Sequence, residues 1–278
     1  MRKCIYMLFP EGKPKALTLS YDDGVVQDVR FMKILDRYGI KCTFNLNSGR
    51  FPTETPAEMP PRGNLCVQAA KELYANSGHE VAVHSLTHPF LEKIPPHLAC
   101  LEVLEDRRNL EAIFGGIVRG MAYPQGTYSD SVVECLRLCG VAYARTTVTT
   151  ESFAVPTDWL RLHPTCHHNN PRLFELVDRF LNSAPFLEPW LFYLWGHSYE
   201  FDDYDNWDRI EKFCESIGGR DDIWYATNIE IFDYVQAYRR LVYSSSADLV
   251  YNPSVIPVWI NYNKQPLLIG AGEYKVLN

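Results

Sequence analysis

The sequence predicts an α/β protein built on a parallel sheet, most simply a closed or partly open barrel. Three observations predict it. Short apolar, β-rich runs recur at residues 16–20, 42–47, 80–84, 118–123, 141–146, 160–163, 191–196 and 223–226, with helix-period segments between them. Several of these runs are nearly continuous in apolar character, as strands covered on both faces are. The chain of 278 residues also has the length of one large α/β domain with a small appendage.

The helical segments are read from periodicity and stops. In residues 26–38, Phe31, Ile34, Leu35 and Tyr38 share one face and Gly39 follows as a stop. Residues 98–114 behave alike and end at Gly115-Gly116. Trp207, Ile210, Phe213, Cys214 and Ile217 form a stripe capped by Asp205 or Asn206 and stopped by Gly218-Gly219. A further helix is expected at 229–243. Residues 51–63, with Pro52, Pro56, Pro60 and Pro61, read as an irregular loop. From 244 onward the pattern changes to short alternating segments such as 255–262. The expected organisation is therefore a barrel over 1–243 and a β-rich extension over 244–278.

Composition narrows the class. With 27 basic against 34 acidic side chains and a net charge of −7, the chain lacks the basic face of a nucleic-acid backbone binder. No apolar run approaches the roughly 18 residues that cross a bilayer. The N-terminal basic-then-apolar run stops at Pro10-Glu11, short of a signal-peptide core. The eight cysteines are scattered without a Cys-x-x-Cys pair and read as reduced, core-filling thiols. A cytoplasmic protein with no nucleic-acid or membrane partner is expected; the oligomeric state is left open.

Four stretches sit at predicted strand ends, where barrel active sites are built. Asp22 and Asp23, in Tyr21-Asp22-Asp23-Gly24, point apart on an extended chain unless the turn twists both toward one cleft; a helix N-cap is the alternative. His84 and His88 are four residues apart, which on a helical turn places two imidazoles within reach of one ion. No Glu follows His84, so a general base comes from elsewhere, and the paired aspartates supply it. His197, in Trp195-Gly196-His197, is either a satisfied core residue or a general acid. Tyr123-Pro124-Gln125-Gly126 is either a connecting turn or one that aims a backbone N–H into the cleft. Tyr123 and Trp195 are candidates to stack on a substrate, with Pro124 and Tyr199 beside them, although most strand aromatics are core. Cys166-His167-His168 reads as solvated loop, because neighbouring side chains diverge on a strand. Asp202, Asp203, Asp205 and Asp208 lack calcium-loop spacing and read as the approach to a helix, with Tyr199, Glu200 and Asp202 close enough to His197 to line the cleft.

Together these stretches resemble the polysaccharide deacetylase family, also called NodB-homology or carbohydrate esterase family 4, over roughly residues 15–226. The resemblance implies a distorted (β/α)7–8 barrel of the NodB type. Tyr21 to Gly24 is similar to the family's Thr-Phe-Asp-Asp-Gly motif, which makes Asp22 the catalytic base and Asp23 a metal ligand. His84 and His88 match the His-Ser/Thr-x-x-His motif and complete an Asp-His-His site. His197 matches the final motif as catalytic acid, and Asp158-Trp159 resembles the fourth motif only weakly. The third motif, usually Arg-x-Pro-Tyr-Gly, departs: its arginine falls on Ala122 and its tyrosine on Gln125, whose backbone N–H still serves as an oxyanion donor. Arg161 is the candidate replacement cation, and Arg119 the competitor, about 10 Å along the strand from Ala122.

The implied cofactor is a divalent metal, zinc foremost, with cobalt, nickel or manganese as alternatives. The expected activity is hydrolysis of a non-peptide amide, most simply N-deacetylation of an amino sugar, oligosaccharide or polysaccharide. Two alternatives stand beside it: opening of a cyclic amide or ureide at the same site, or a carbohydrate-binding relative that has lost turnover along with the third-motif arginine.

Overall fold

The computed structural model describes residues 4–58 and 60–277. In chain order its main elements are β1 (Ile5–Leu8), β2 (Lys15–Asp22), α1 (Asp28–Arg37), β3 (Cys42–Leu46), α2 (Val67–Tyr74), β4 (Glu80–Val83), α3 (Pro96–Phe114), β5 (Gly120–Ala122), α4 (Asp130–Leu138) and β6 (Tyr143–Arg145). There follow β7 (Cys166–His167), α5 (Leu173–Asn182), β8 (Trp190–Gly196), α6 (Glu200–Asp203), α7 (Trp207–Ile217), β9 (Ile223–Tyr225) and α8 (Asn228–Arg239). The last segment carries β10 (Val242–Tyr243), β11 (Leu249–Tyr251), β12 (Val258–Tyr262), β13 (Gln265–Ile269) and β14 (Tyr274–Val276).

The main sheet is parallel, in the order β6-β5-β4-β3-β2-β8-β7, with β9 pairing the lower end of β2. It curls into a distorted (β/α) barrel whose edge strands, β6 and β7, do not pair. β2 lies at its centre and is buried along all eight residues. Period-two alternation decides what each face does. Leu17, Leu19 and Tyr21, with Phe44, Leu46, Val83, Met121, Phe192 and Leu194 of neighbouring strands, pack under the helices in one apolar cluster. The intervening residues face inward. Thr18, Thr43, Asn45 and Asn228 form polar layers there, with Thr18 Oγ1 donating to Asn228 Oδ1 at 2.8 Å. Following that inner face toward the C-terminal strand ends leads to Asp22, His84, Arg145 and His197.

The helices follow their apolar stripes: Phe31, Ile34 and Leu35 of α1, and Leu173, Leu176, Val177 and Phe180 of α5, are buried. Two expected elements differ. Residues 160–163 are not a strand. Asp158 Oδ1 accepts from the backbone N–H of Leu160 and Arg161, which winds Trp159–Arg161 into a 3₁₀ turn, and only Arg145 and Leu162 bridge across. The helix expected at 229–243 ends at Arg239, and Val242–Tyr243 instead pairs with β11.

Strand pairs cross the expected division at residue 243 at two places, through β1 and through β10. β1 pairs antiparallel with β12, which pairs with β13, so an N-terminal strand joins the C-terminal sheet. β10, β11 and β14 make a second small sheet. All eight cysteines are free thiols, and no helix among the described residues is long and apolar enough to cross a membrane.

Candidate active site

Asp22 ends β2, and Asp23 follows it directly. Asp22 continues the inner-face alternation, and Asp23, at φ 82°, takes the left-handed twist that turns its side chain toward the same cleft. Gly24 follows at φ 65°. Asn45, from β3, donates from Nδ2 to Asp22 Oδ1 and to Ser20 Oγ, each at 2.8 Å. The other Asp22 oxygen accepts from the fully buried guanidinium of Arg145. Burial opposes ionisation of Asp22, but Arg145, with His84 and His197 beyond it, holds the carboxyl below its ordinary range.

The cation beside Asp22 is therefore Arg145, neither Arg161 nor Arg119. Arg161 pairs with Asp130 and Asp158 and lines a separate cavity of about 350 Å³ with His163 and Tyr193, while Arg119 pairs with Asp233. Sheet register explains the substitution: Ala122, where the resemblance places the family arginine, is the Cα partner of Arg145 on the adjacent strand. A charged residue ending an apolar run at Ala144-Arg145-Thr146 was the available signal.

His84 and His88 converge, but not on a helical turn. Residues 84–88 form a loop with Ser85 at φ 65° and His88 at φ 66°, held by Asn47 Nδ2 donating to the carbonyls of His84 and Ser85 and by Ser85 Oγ accepting from the His88 N–H. His84 Nε2 lies 3.1 Å from His88 Nε2, and His88 Nε2 lies 3.8 Å from Asp23 Oδ1. Zinc ligands at about 2.0–2.1 Å sit at tetrahedral edges of roughly 3.3 Å, so this donor set fits one ion. Two further observations agree. His84 Nδ1 donates to the Ala122 carbonyl at 2.8 Å, which leaves its Nε2 lone pair facing the cluster. Burial, helped by His84, pulls the pKa of His88 down to about 4, so the ring is neutral at pH 7.

His197 stands across the cleft, its Nε2 3.8 Å from Asp22 Oδ2 and its Nδ1 3.3 Å from Glu200 Oε2. Burial lowers its pKa, but Glu200 and Asp22 more than offset that and the net shift is upward. Glu200 also takes contacts from His167 Nε2 at 3.0 Å and His168 Nε2 at 3.3 Å. Cys166-His167-His168 is thus no solvated loop: Cys166 and His168 are buried, and β7 brings the histidines against β8. The group His167, His197 and Glu200 has the composition of a metal site, but His167 Nδ1 accepts the Asn169 N–H at 3.1 Å. That turns Nε2 toward Glu200 as a donor, and with the His197 backbone N–H donating to Glu200 Oε2 at 3.2 Å the group reads as an electrostatic support for His197.

A cavity of about 270 Å³ joins these groups, walled by Asp22, Asp23, His84, His88, His197 and Gln125, with Tyr123, Trp195 and Tyr199 among its other walls. Pro124 is buried behind the turn and is not part of that wall. Tyr123 donates its hydroxyl to the Leu160 carbonyl at 2.7 Å, and the Tyr199 ring lies 5.0 Å from that of His197. Asn45 and Arg145 are the site residues that sequence reasoning missed; Glu200, expected near the cleft from its closeness to His197, lies against that ring.

An inner-face carboxylate clamped by arginine, an Asp-His-His cluster and an opposed histidine, all at the strand ends of a parallel barrel, define a hydrolase-type site. Residues 10–144 match the family model for polysaccharide deacetylase. Two solved structures share the fold. A protein of polysaccharide-deacetylase type from Mycobacterium smegmatis is 15% identical with a TM-score of 0.57, covering 83% of this chain and 93% of that one. The Xyl-CE4 domain of a multidomain xylanase from the hindgut metagenome of Trinervitermes trinervoides is 16% identical with a TM-score of 0.53, covering 80% and 92%. The Streptococcus pyogenes deacetylase PplD, solved with acetate, is 21% identical with a TM-score of 0.45 over 52% of this chain, which spans 62% of that one, under two thirds of its length. Over residues 10–144 the chain is thus similar to the polysaccharide deacetylase, or NodB-homology, family, and its fold is the one those solved structures share.

Proposed function

We propose that this protein is a metal-dependent hydrolase that removes the N-acetyl group from an amino sugar or its oligomers. One observation carries the reading: Asp22, held by Arg145, faces the Asp23-His84-His88 cluster on one side and His197 on the other. A divalent ion held by Asp23, His84 and His88, zinc foremost, supplies polarisation of the acetyl carbonyl and acidification of water.

The chain's own residues divide the remaining work. Asp22, ionised at neutral pH, accepts the proton of the attacking water. The Gln125 backbone N–H donates to the oxygen on which charge develops. His197, its Nδ1 side supported by Glu200, delivers a proton from Nε2 to the departing amine, so that amide and water leave as amine and acetate. Tyr123, Trp195 and Tyr199 give the sugar ring apolar walls. The cavity falls just below the roughly 300–1,000 Å³ usual for small-molecule sites, which supports engagement of one sugar unit at a time.

The inactive-relative reading rests on the missing third-motif arginine, and Arg145 removes that support. Acetate release from N-acetylglucosamine and its oligomers, assayed beside ring opening of cyclic ureides, tests the proposal. Acetate release that Asp22→Asn abolishes supports it. Ureide opening without acetate release transfers the site to the alternative substrate class, and no turnover of either by zinc-loaded protein sinks it.

A further inference from the structure

The turn at residues 122–126 lies behind both histidines of the cluster. Its first residue, Ala122, accepts His84 Nδ1 on its carbonyl at 2.8 Å. Its fourth, Gln125, lies at φ 60°, and its side-chain Nε2 approaches His88 Nδ1 at 3.0 Å. The backs of the two rings are thus served differently. A carbonyl only accepts, so His84 is held with its proton on Nδ1 and Nε2 bare. A carboxamide both donates and accepts, so it matches either neutral tautomer of His88.

We propose that Gln125 is a positioning residue for the metal ligand His88 and that its amide turns over when the ion binds. With the ring proton on Nε2, Gln125 Nε2–H donates to Nδ1, and the Nε2 proton of His88 points at the bare Nε2 of His84, 3.1 Å away. An ion needs the His88 Nε2 lone pair. The proton therefore moves to Nδ1, and a half-turn of the amide presents Oε1 to receive it. No charge is gained or lost on the ring; the tautomer and the hydrogen-bond direction both reverse. The family's tyrosine position, filled here by Gln125, becomes a support for the metal site, separate from the work of its backbone N–H. This inference rests on Asp23, His84 and His88 holding a divalent ion, as proposed above.

Zinc affinity, measured by competition with a chromogenic chelator, and the ¹⁵N shifts of the His88 ring nitrogens test it. Wild-type protein is expected to show His88 with its proton on Nε2 before zinc and on Nδ1 after it. Gln125→Leu, which offers neither donor nor acceptor, is expected to bind zinc roughly 10–100-fold more weakly. Gln125→Glu, which only accepts, is expected to restore or tighten binding and to show the Nδ1–H tautomer before zinc is added. Equal zinc affinity in wild type and Gln125→Leu, or an Nδ1–H tautomer in wild type before zinc, overturns the inference. Absence of zinc binding by wild type instead overturns the metal site itself, so the two failures are distinguishable.

Discussion

The Arg145 guanidinium reaches the Asp22 carboxylate from β6, two strands beyond β4 and in register with Ala122 of β5. Both groups are buried, so neither is compensated by water if the other is removed. Arg145→Ala is expected to cost about 3–5 kcal/mol in urea unfolding, the usual result of stranding one charge of a buried pair. It is also expected to lower kcat for acetate release roughly tenfold or more, because an unpaired buried Asp22 loses ionisation at neutral pH. Arg145→Lys keeps the charge and should recover more stability than activity.

Metal content gives the most direct reading of the Asp23-His84-His88 cluster. Purified protein reconstituted with zinc is expected to hold about one ion per chain by elemental analysis. His84→Ala and His88→Ala should each lose it, since only two of the three protein ligands then remain. Retention of the ion by both variants would place it elsewhere.

Glu200 controls the protonation of His197. Removing its charge by Glu200→Gln takes away the leading contribution that holds the imidazolium pKa up, so burial, opposed now by Asp22 and Asp23 alone, moves it down. The acid form of His197 is then lost at lower pH. The alkaline limb of the kcat/KM profile is expected to shift acidward in Glu200→Gln, while the acidic limb stays in place. An unmoved alkaline limb would detach Glu200 from the acid.

Asp28, at the start of α1, is fully buried and accepts hydrogen bonds from Ser198 Oγ at 2.5 Å and the Tyr74 hydroxyl at 2.6 Å. Burial pushes its carboxyl up to about 7 in spite of those bonds. Between the ordinary carboxyl value near 4 and about 7, the folded chain holds a proton that the unfolded chain has released. Stability contributed by Asp28 is therefore present at low pH and lost as pH rises through that window, by at most roughly 1.4 kcal/mol per unit. Asp28→Asn is expected to flatten the unfolding free energy between pH 4 and 7. An unchanged slope would exclude Asp28 as its source.

What the sequence reveals of this site is what is local. Asp22, Asp23, His84, His88 and His197 each follow an apolar run, and strand-end placement suffices to find them. Asn45, Arg145 and Glu200 act through partners 23, 123 and 3 residues away, respectively. Asn45 and Arg145 depend on strand order, which periodicity does not specify. Glu200 is close in sequence, but its role depends on α6 folding back beneath His197. Residues 160–163 mislead for a different reason: their apolar content suits a strand, and the Asp158 cap decides otherwise. His167 and His168 escape a periodicity reading because β7 is only two residues long, too short to register as a periodic run.

The pairing of β1 with β12 joins residues 5–8 to residues 259–262. During synthesis, β1 thus finds its neighbour only after the whole barrel has emerged, while β2 through β6 can begin to order in succession. A protein ended after residue 243 would leave β1 as an unpaired edge carrying Met7 and Leu8, with Phe9 next to it, all buried here. The small C-terminal sheet thus acts as a latch on residues 5–8, and a chain lacking it is expected to aggregate through the edge left open.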